Sequence, residues 1–191
     1  MTSAPPVVLQ PDWPLETERL LLRPFEAGDL EAFHAIHSDE GVARYLYNDP
    51  RTFEGSKDLL ERKIAGAALR AEGDWLAAAV VLRETGELVG DVDLLWASEQ
   101  HRRGEIGFVF HPPHHGRGYA TEAARLLLTF AFGPLGLHRV VGRTEARNIA
   151  SVRVLEKLGM RREAHFVKNE WVKNEWQSEL VYALLASEWA A

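Results

Sequence analysis

Residues 104–130 read GEIGFVFHPPHHGRGYATEAARLLLTF, and this stretch decides the fold. The alternating apolar run from Ile106 to Phe110 predicts a strand, which the two prolines that follow bring to an end. A loop with two glycines then leads into an apolar run with helical spacing that begins at Tyr119. The first N–H groups of a helix have no intrahelical partner and lie at the positive end of the helix dipole. The sequence therefore predicts an anion site at this loop.

The loop residues themselves suit a phosphate. Gly116 and Gly118 permit positive φ and close approach of the backbone to an oxygen cluster, and Arg117 adds a positive charge. A tight strand-to-helix turn that binds nothing is the alternative.

Two known phosphate motifs can be compared with the loop. The nucleotide triphosphate pattern G-x-x-x-x-G-K-[ST] does not occur in the chain. The dinucleotide fingerprint G-x-G-x-x-G fits Gly116 and Gly118, but Thr121 stands where the third glycine belongs. The strands before the loop also predict antiparallel pairing, which does not build a doubly wound sheet. A dinucleotide enzyme is therefore a minor alternative.

Working outward, the pattern predicts one strand, two helices, three antiparallel strands, a helix, a strand, a helix and two strands. The second helix is expected to run from about Phe53 to about Arg70. The sequence thus predicts an α+β fold with a mixed, mostly antiparallel sheet flanked by helices and one βαβ crossover at the glycine loop. We expect one domain over residues 15–191, preceded by a flexible arm over the proline-rich residues 1–14.

Composition excludes several classes of protein. The 191 residues contain no cysteine, which excludes disulfides, zinc–thiolate sites and a thiol nucleophile. A net charge of −6 argues against a nucleic-acid partner and suits a cationic amine. No secretory signal and no apolar run of about 18 residues is present, so we expect a cytoplasmic protein with no membrane partner.

Three histidines in the loop region raise the question of a metal site. Pro112 and Pro113 prevent a helix that would align His111, His114 and His115, and no acidic fourth ligand is at hand. We therefore expect no metal.

The loop and its surroundings resemble the Gcn5-related N-acetyltransferases (GNAT). In that family the pattern [Q/R]-x-x-G-x-[G/A] wraps the pyrophosphate of acetyl-coenzyme A, and HGRGYA, residues 115–120, is similar to it. His115 takes the first position, with Gly118 and Ala120 in place. Several further segments resemble the RimJ/RimL branch in the same order: LETERLLLRPFEAGD, LVGDVDL, HRVVGRTEARNIASVRVLEKLGM and VYALLASEW. The resemblance covers roughly residues 15–189.

The resemblance implies an enzyme that uses acetyl-coenzyme A as acetyl donor. A primary amine attacks the thioester directly and passes through a tetrahedral intermediate, which makes coenzyme A the leaving group. A peptide N-terminus is favoured as acceptor, since an α-amine with a pKa near 8 is partly neutral at pH 7. A small amine such as an aminoglycoside or polyamine, and a non-catalytic coenzyme A-binding regulatory module, are alternatives. A homodimer stays open at this stage.

The resemblance also assigns catalytic roles. Glu105, on the strand beside the pantetheine arm, is the expected base, with a structural pair between Glu105 and Arg103 as the alternative. Leu155 stands where many relatives carry a tyrosine acid, so Ser151 is the expected proton donor to sulfur. Asn148 is expected to cap its helix and to contact the pantetheine amide. A main-chain N–H near Phe108 to Phe110 is expected to donate a hydrogen bond to the oxyanion.

The remaining expected contacts belong to the donor and the acceptor. The cofactor-binding set is Phe108, Val109, Phe110, His115, Gly116, Arg117, Gly118, Tyr119, Ala120, Thr121, Asn148 and Ser151. The acceptor-binding set is Asp91, Asp93, Tyr45 and Trp176, and both aspartates also compete with Glu105 for the role of base.

Overall fold

The computed structural model describes residues 8–190, which form eight strands and five α-helices. In chain order these are β1 (Leu15–Glu16), β2 (Leu20–Arg23), α1 (Leu30–His37), α2 (Glu40–Ala43), α3 (Phe53–Ala65), β3 (Trp75–Leu82), β4 (Leu88–Ser98), β5 (Arg103–Phe110), α4 (Tyr119–Phe132), β6 (Arg139–Glu145), α5 (Ile149–Lys157), β7 (Arg161–Val172) and β8 (Glu175–Leu185). None of the helices within these residues has the length and apolar character needed to cross a bilayer.

All eight strands join one sheet in the order β1-β2-β3-β4-β5-β6-β8-β7. Every neighbouring pair is antiparallel except β5 and β6, which run parallel and are connected by α4. A parallel pair requires such a crossover, because a tight hairpin reverses the chain direction. The predicted α+β fold with a single crossover at the glycine loop is therefore confirmed.

Helices cover both faces of the sheet. On one face α4 and α5 pack through residues such as Leu127, Leu128 and Leu155, all with at most 1% of their surface exposed. On the other face α1 and α3 pack through a smaller cluster that includes Phe33 and Leu60. The sheet is thus buried in the middle of a three-layer arrangement, which fixes the positions of its strand ends.

The parallel pair β5–β6 is paired over only three residues. Its register joins Arg103–Glu105 of β5 to Arg139–Val141 of β6 and then stops. Beyond Glu105, β5 stays paired with β4 as far as Phe110, and β6 stays paired with β8 as far as Glu145. The two strands therefore diverge, and a gap opens in the sheet next to the glycine loop.

Two local expectations were wrong. Helix α3 ends at Ala65 rather than near Arg70, and Gly66 follows it as the cap. A Cβ on Gly66 would lie 2.8 Å from the Trp75 carbonyl oxygen, so only glycine permits the chain to turn away so close to β3. The short helix α2 was not predicted. Asp39 caps its N-terminus, since the Asp39 carboxylate accepts the N–H of Val42 at 2.9 Å.

The predicted N-terminal arm is only partly described, since residues 1–7 lie outside the described residues. The rest of it contacts the domain. Leu9 and Leu69 exchange two backbone hydrogen bonds of 2.8 Å each, and Trp13 donates its indole N–H to the Ala67 carbonyl at 3.3 Å.

Leu155 packs α5 directly against β6 of the sheet. A Cβ on Gly142 of β6 would lie 2.4 Å from Leu155 Cδ2, so glycine at 142 is what lets the leucine sit directly on the strand. The side chain at the position where relatives carry a tyrosine is therefore part of the hydrophobic core.

We predict that Leu155→Ala lowers the free energy of unfolding by about 2–5 kcal/mol, because it leaves a cavity under β6. Ile149→Ala on the same helix is the matched control, since Ile149 is 53% exposed, and it should change stability by less than about 0.5 kcal/mol. Urea unfolding of both variants measures the difference. Equal losses in the two would contradict this account of the α5 packing.

Candidate active site

The gap between β5 and β6 is the bottom of a cleft of about 900 Å³. Its walls come from β5, the glycine loop, the first turns of α4 and α5, the ends of β6 and β8, and residues 41–47 around α2. Of the predicted site residues, the cleft brings together Tyr45, Asp93, Glu105, Phe108, Val109, Phe110, His115, Gly116, Gly118, Tyr119, Ala120, Thr121, Asn148 and Ser151. Asp91, Arg117 and Trp176 do not line it.

The edge of β5 presents free backbone groups to this cleft. The N–H of His111 donates to the Val89 carbonyl at 2.9 Å, and alternate residues of an antiparallel strand bond to the same neighbour. Val109 and Gly107 therefore bond to β4, whereas the N–H groups of Phe108 and Phe110 point into the gap that β6 has left. The divergence of β5 from β6 thus leaves free N–H groups in the segment Phe108–Phe110, where an oxyanion donor is expected.

His115 closes one end of that edge. Its Nε2 lies 2.7 Å from the Phe110 carbonyl oxygen, and since a carbonyl only accepts, Nε2 carries the proton and donates it. The first position of the loop motif is thus occupied by a side chain that fixes the loop to the end of β5.

The glycine loop has the backbone geometry of an anion cradle. Gly116 has φ +76° and Gly118, which caps α4, has φ +84°. The first intrahelical bond runs from the Glu122 N–H to the Gly118 carbonyl, so the N–H groups of the three residues before Glu122 are free of helical partners. A Cβ on Gly116 would meet nothing within 4 Å, which leaves open space beside these donors. This arrangement fits the pyrophosphate of a coenzyme A.

Arg19 supports the loop, a role that sequence reasoning missed. From the turn between β1 and β2 its Nη1 donates to the Arg117 carbonyl at 3.0 Å, and its guanidinium lies 4.8 Å from the centre of the Tyr119 ring. Arg19 also pairs with Glu122 in the first turn of α4. Arg19 and Arg117 are 98 residues apart in sequence, and no local pattern in the chain indicates their contact.

Asn148 and Ser151 lie at the start of α5. The side-chain Oδ1 of Asn148 accepts the Ser151 N–H at 3.1 Å, which confirms the predicted cap. Both side chains line the cleft. The cap leaves the Asn148 side-chain N–H₂ group without a partner among residues 8–190, and the cleft is the space that it faces.

Glu105 is held by Arg143 of β6 rather than by Arg103. Arg143 Nε donates to Glu105 Oε2 at 3.2 Å, and its Nη1 donates to Glu179 Oε2 at 3.1 Å. Burial raises the pKa of the Glu105 carboxyl above its ordinary value, Arg143 opposes that rise, and the nearby Glu179 adds to it. The alternative of a structural Glu105–Arg103 pair was therefore wrong.

A buried cluster of charges joins α1 and α3 to β4. Lys63 Nζ lies 2.9 Å from Asp91 Oδ1 and 2.7 Å from Asp93 Oδ2, and His37 Nε2 lies 3.1 Å from Asp91 Oδ2. Asp91 is 1% exposed and already satisfied by these partners, so it is not available to an acceptor. Two carboxylates share one ammonium, and this holds the two helices on the sheet.

Asp93 is the member of this cluster that reaches the cleft. It lies opposite Gly107 across the β4–β5 pair, and a Cβ on Gly107 would meet nothing within 4 Å. Burial raises the pKa of the Asp93 carboxyl to about 6, against the effect of Lys63, and the neighbouring Asp91 carboxylate contributes to the rise. For Asp91, burial is outweighed by Lys63 and His37, which lower its pKa to about 2.

The aromatic residues separate into two groups. Tyr45 lines the cleft together with Tyr47, whose hydroxyl donates to Glu170 Oε2 at 2.7 Å. Trp176 lies outside it, 57% exposed on the β7–β8 hairpin and packed edge-on against Trp171 at 5.4 Å. Of the two aromatic residues in the expected acceptor-binding set, Tyr45 lines the cleft and Trp176 does not.

Two of the three loop histidines have protein partners for their side chains. His114 Nε2 lies 3.0 Å from Glu87 Oε1, and His115 bonds to the backbone as described above. Within residues 8–190 no group of three or more histidine or acidic side chains is arranged to hold a metal ion.

Comparison with known proteins agrees with the geometry. Residues 19–161 match the family model described as "Acetyltransferase (GNAT) domain". The uncharacterized N-acetyltransferase YnaD of Bacillus subtilis is 35% identical over 92% of this chain and 98% of its own length. Spermidine N(1)-acetyltransferase of Escherichia coli is 25% identical over 89% of this chain and 88% of its own. The crystal structure of a GNAT-family acetyltransferase from Bacillus anthracis superposes with a TM-score of 0.81 at 36% identity, covering 91% of this chain and 98% of that one.

The charge cluster gives a test of the site's framework. We predict that Lys63→Met lowers the free energy of unfolding by about 3–5 kcal/mol at pH 8, because it leaves two buried carboxylates without their shared ammonium. Burial and the Asp91 carboxylate then raise the pKa of Asp93 with only His37 to oppose them, so Asp93 destabilises the fold above that pKa and takes up a proton as the pH falls. The loss relative to the wild type should accordingly shrink at pH 5.

Lys57→Met is the matched control, since Lys57 is an exposed lysine on the same helix, and its loss should stay below about 0.5 kcal/mol at both pH values. Urea unfolding at pH 5 and pH 8 measures all four differences. A loss for Lys63→Met that is the same at both pH values would contradict the assignment of two carboxylates to one cation.

Proposed function

The chain belongs to the acetyltransferase (GNAT) domain family and is an N-acetyltransferase, and from that premise we propose that it acetylates a primary amine held in the acidic half of its cleft. The observation that carries the proposal is the unpaired edge of β5. Free N–H groups of Phe108 and Phe110 face a gap that ends at the helix N-terminus of the glycine loop. A thioester carbonyl and a diphosphate that are joined by one extended pantetheine arm suit that arrangement.

The donor half of the cleft would hold acetyl-coenzyme A, the acetyl donor of this family. The loop from His115 to Thr121 supplies backbone N–H groups for the pyrophosphate. The pantetheine arm would lie along Phe108–Phe110 in the place of a further strand, with its amide near the free N–H₂ group of Asn148. Arg153 and Lys157 of α5 also line this half and add positive charge for the remaining phosphate.

The proposed chemistry is direct attack. The amine nitrogen forms a bond to the thioester carbon, the carbon–sulfur bond breaks, and the amine loses a proton while sulfur gains one. The N–H groups of Phe108 and Phe110 can donate to the oxyanion. Glu105, at the point where β5 and β6 separate, is the proposed proton acceptor. Ser151 is the proposed proton donor to sulfur, because Leu155 is in the core and cannot serve.

A peptide N-terminus is the acceptor that we propose first, because its amine is partly neutral at pH 7 and demands little of the base. A polyamine is the second candidate. Glu105, Glu170 and Glu179 all line the cleft and favour a cation, and one relative is a spermidine acetyltransferase.

The test is release of free thiol from acetyl-coenzyme A against peptides, aminoglycosides and polyamines. We expect release with peptides that carry a free N-terminus and none when that amine is blocked. Release only with polyamines would transfer the activity to the second candidate. No release with any amine, while acetyl-coenzyme A still binds, would overturn the proposal.

We predict that Gly116→Ala weakens coenzyme A binding about tenfold or more, because its methyl group occupies the space beside the loop N–H groups. Gly86→Ala is the matched control. Gly86 has φ +75° and equally open space, but it lies in the β3–β4 hairpin. Both variants should lose about 1–2 kcal/mol of stability through left-handed backbone strain. Calorimetric titration that finds equal coenzyme A affinity in the two would argue against a pyrophosphate at this loop.

We predict that Glu105→Gln lowers kcat/KM by about 10²–10⁴-fold and removes the acidic limb of its pH profile. In the wild type the acidic limb is the fall in activity as the pH drops through the pKa of Glu105. Burial raises that pKa above the ordinary value of a glutamate. Ser151→Ala should lower kcat while the KM for acetyl-coenzyme A stays unchanged. Steady-state rates from pH 5 to 9 measure both, and an acidic limb that persists in Glu105→Gln would assign the base to another group.

A further inference from the structure

A second cavity, of about 480 Å³, opens on the same face of the sheet as the cleft. It lies between the C-terminal half of α3, the loop of residues 66–74 and the start of β3, and we name it the side pocket. Trp75 and Asp93 line both the side pocket and the cleft. A molecule bound beside Glu105 can therefore extend past Trp75 into the side pocket.

The side pocket contains two guanidinium groups that form no salt bridge among the described residues. Arg62 and Arg70 line it, and neither forms a salt bridge within residues 8–190; Arg70 Nη1 reaches only the Ala68 carbonyl, at 3.5 Å. Lys63 also contributes to the wall, but its ammonium is taken up by the two aspartates of β4. The free cationic groups are thus the two guanidinium groups.

One carboxylate partly offsets them. Asp74 lines the side pocket, and its Oδ2 accepts the N–H groups of Arg70 at 2.6 Å and Ala71 at 3.0 Å. These two bonds hold the carboxylate against its own loop, whereas the arginine side chains above it have no comparable partner. The charges that line the side pocket nearly cancel, since Asp74 and Asp93 oppose the cationic groups, but the two guanidinium groups lack a salt-bridge partner among residues 8–190.

The rest of the side pocket is apolar. Leu59, Ala65 and Ala77 contribute to its floor, and the indole of Trp75 stands 47% exposed at the junction with the cleft. A large aromatic surface at a junction of two cavities suits a ligand that is apolar in the middle and charged at the far end.

The two cavities therefore differ in the charged groups that they offer to a ligand. The acceptor half of the cleft contains Glu105, Glu170 and Glu179, which favour an ammonium group, and the two unpaired guanidinium groups of the adjoining side pocket favour an anion. We propose that the side pocket binds an acidic group of the acceptor through Arg62 and Arg70. The acceptor class is then a peptide with an acidic side chain close to its N-terminus. This inference rests on the proposed function and selects among its acceptors, since a polyamine would place a second cation against two arginines.

The experiment compares isosteric acceptors that differ only in that charge. The pairs are Ala-Glu and Ala-Gln, and Ala-Ala-Glu and Ala-Ala-Gln, all with amidated C-termini. In at least one pair the wild type should show a kcat/KM about tenfold higher for the Glu peptide, mainly through KM, as expected for a charge-assisted contact. In the double variant Arg62→Gln/Arg70→Gln that ratio should fall to about one.

Lys57→Gln is the matched control, because it removes a charge from the same helix outside both cavities, and it should keep the tenfold ratio. Urea unfolding checks that the double variant is folded. The inference would be overturned by a wild-type ratio near one in both pairs, or by a tenfold ratio that persists in the double variant. A higher kcat/KM for spermidine than for any of the four peptides would also overturn it.

Failure of the proposed function can be told apart from failure of this inference. If no amine is acetylated, the same four peptides are titrated by calorimetry into the protein loaded with coenzyme A. Tighter binding of the Glu members, lost in the double variant, would support the side pocket as an anion site even though the proposed reaction had failed. Equal binding within both pairs would overturn the site as well.

Discussion

The cleft exists because one ladder of backbone hydrogen bonds in the sheet ends early. Strands β5 and β6 are parallel neighbours, yet they pair only as far as Glu105 and Val141. Unpaired backbone groups inside a sheet cost free energy unless another partner or water satisfies them. The divergence is held open because each strand keeps its other neighbour and because α4 and α5 fill the core beneath it. The fold therefore contains an unoccupied strand position beside β5, and this position ends at the glycine loop.

Charge is arranged around this position in a definite order. The proposed donor half of the cleft has backbone N–H groups and the cationic side chains of α5, and the proposed acceptor half has carboxylates that Arg143 and Lys63 only partly neutralise. The side pocket beyond Asp93 contains the two unpaired guanidinium groups of Arg62 and Arg70. This order of charges disfavours binding of either substrate at the other's position, because a diphosphate in the acceptor half would lie against carboxylates.

The sequence predicted those parts of the molecule that depend on neighbouring residues. The strand before the loop, the helix after it, the cap at Asn148 and the order of the elements apart from β1 and α2 were visible from periodicity and turn residues. The end of α3 was misplaced, because the decisive contact is between Gly66 and the Trp75 carbonyl, across a turn that local propensity does not encode. Arg19, Arg143 and the burial of Asp91 were missed or misassigned for the same reason. Each depends on partners that lie far away in the sequence, and one sequence does not reveal which distant charges meet.

The proposed function requires that the edge of β5 beside the gap is free until the acetyl donor occupies it. Residue-resolved amide hydrogen exchange by NMR, with and without coenzyme A, tests this most directly. In the free protein the amides of Phe108 and Phe110 should exchange much faster than those of Gly107 and Val109, which bond to β4. Coenzyme A should then protect Phe108 and Phe110 while it leaves their two neighbours nearly unchanged. Slow exchange of all four amides without coenzyme A, or no added protection when it binds, would contradict the account.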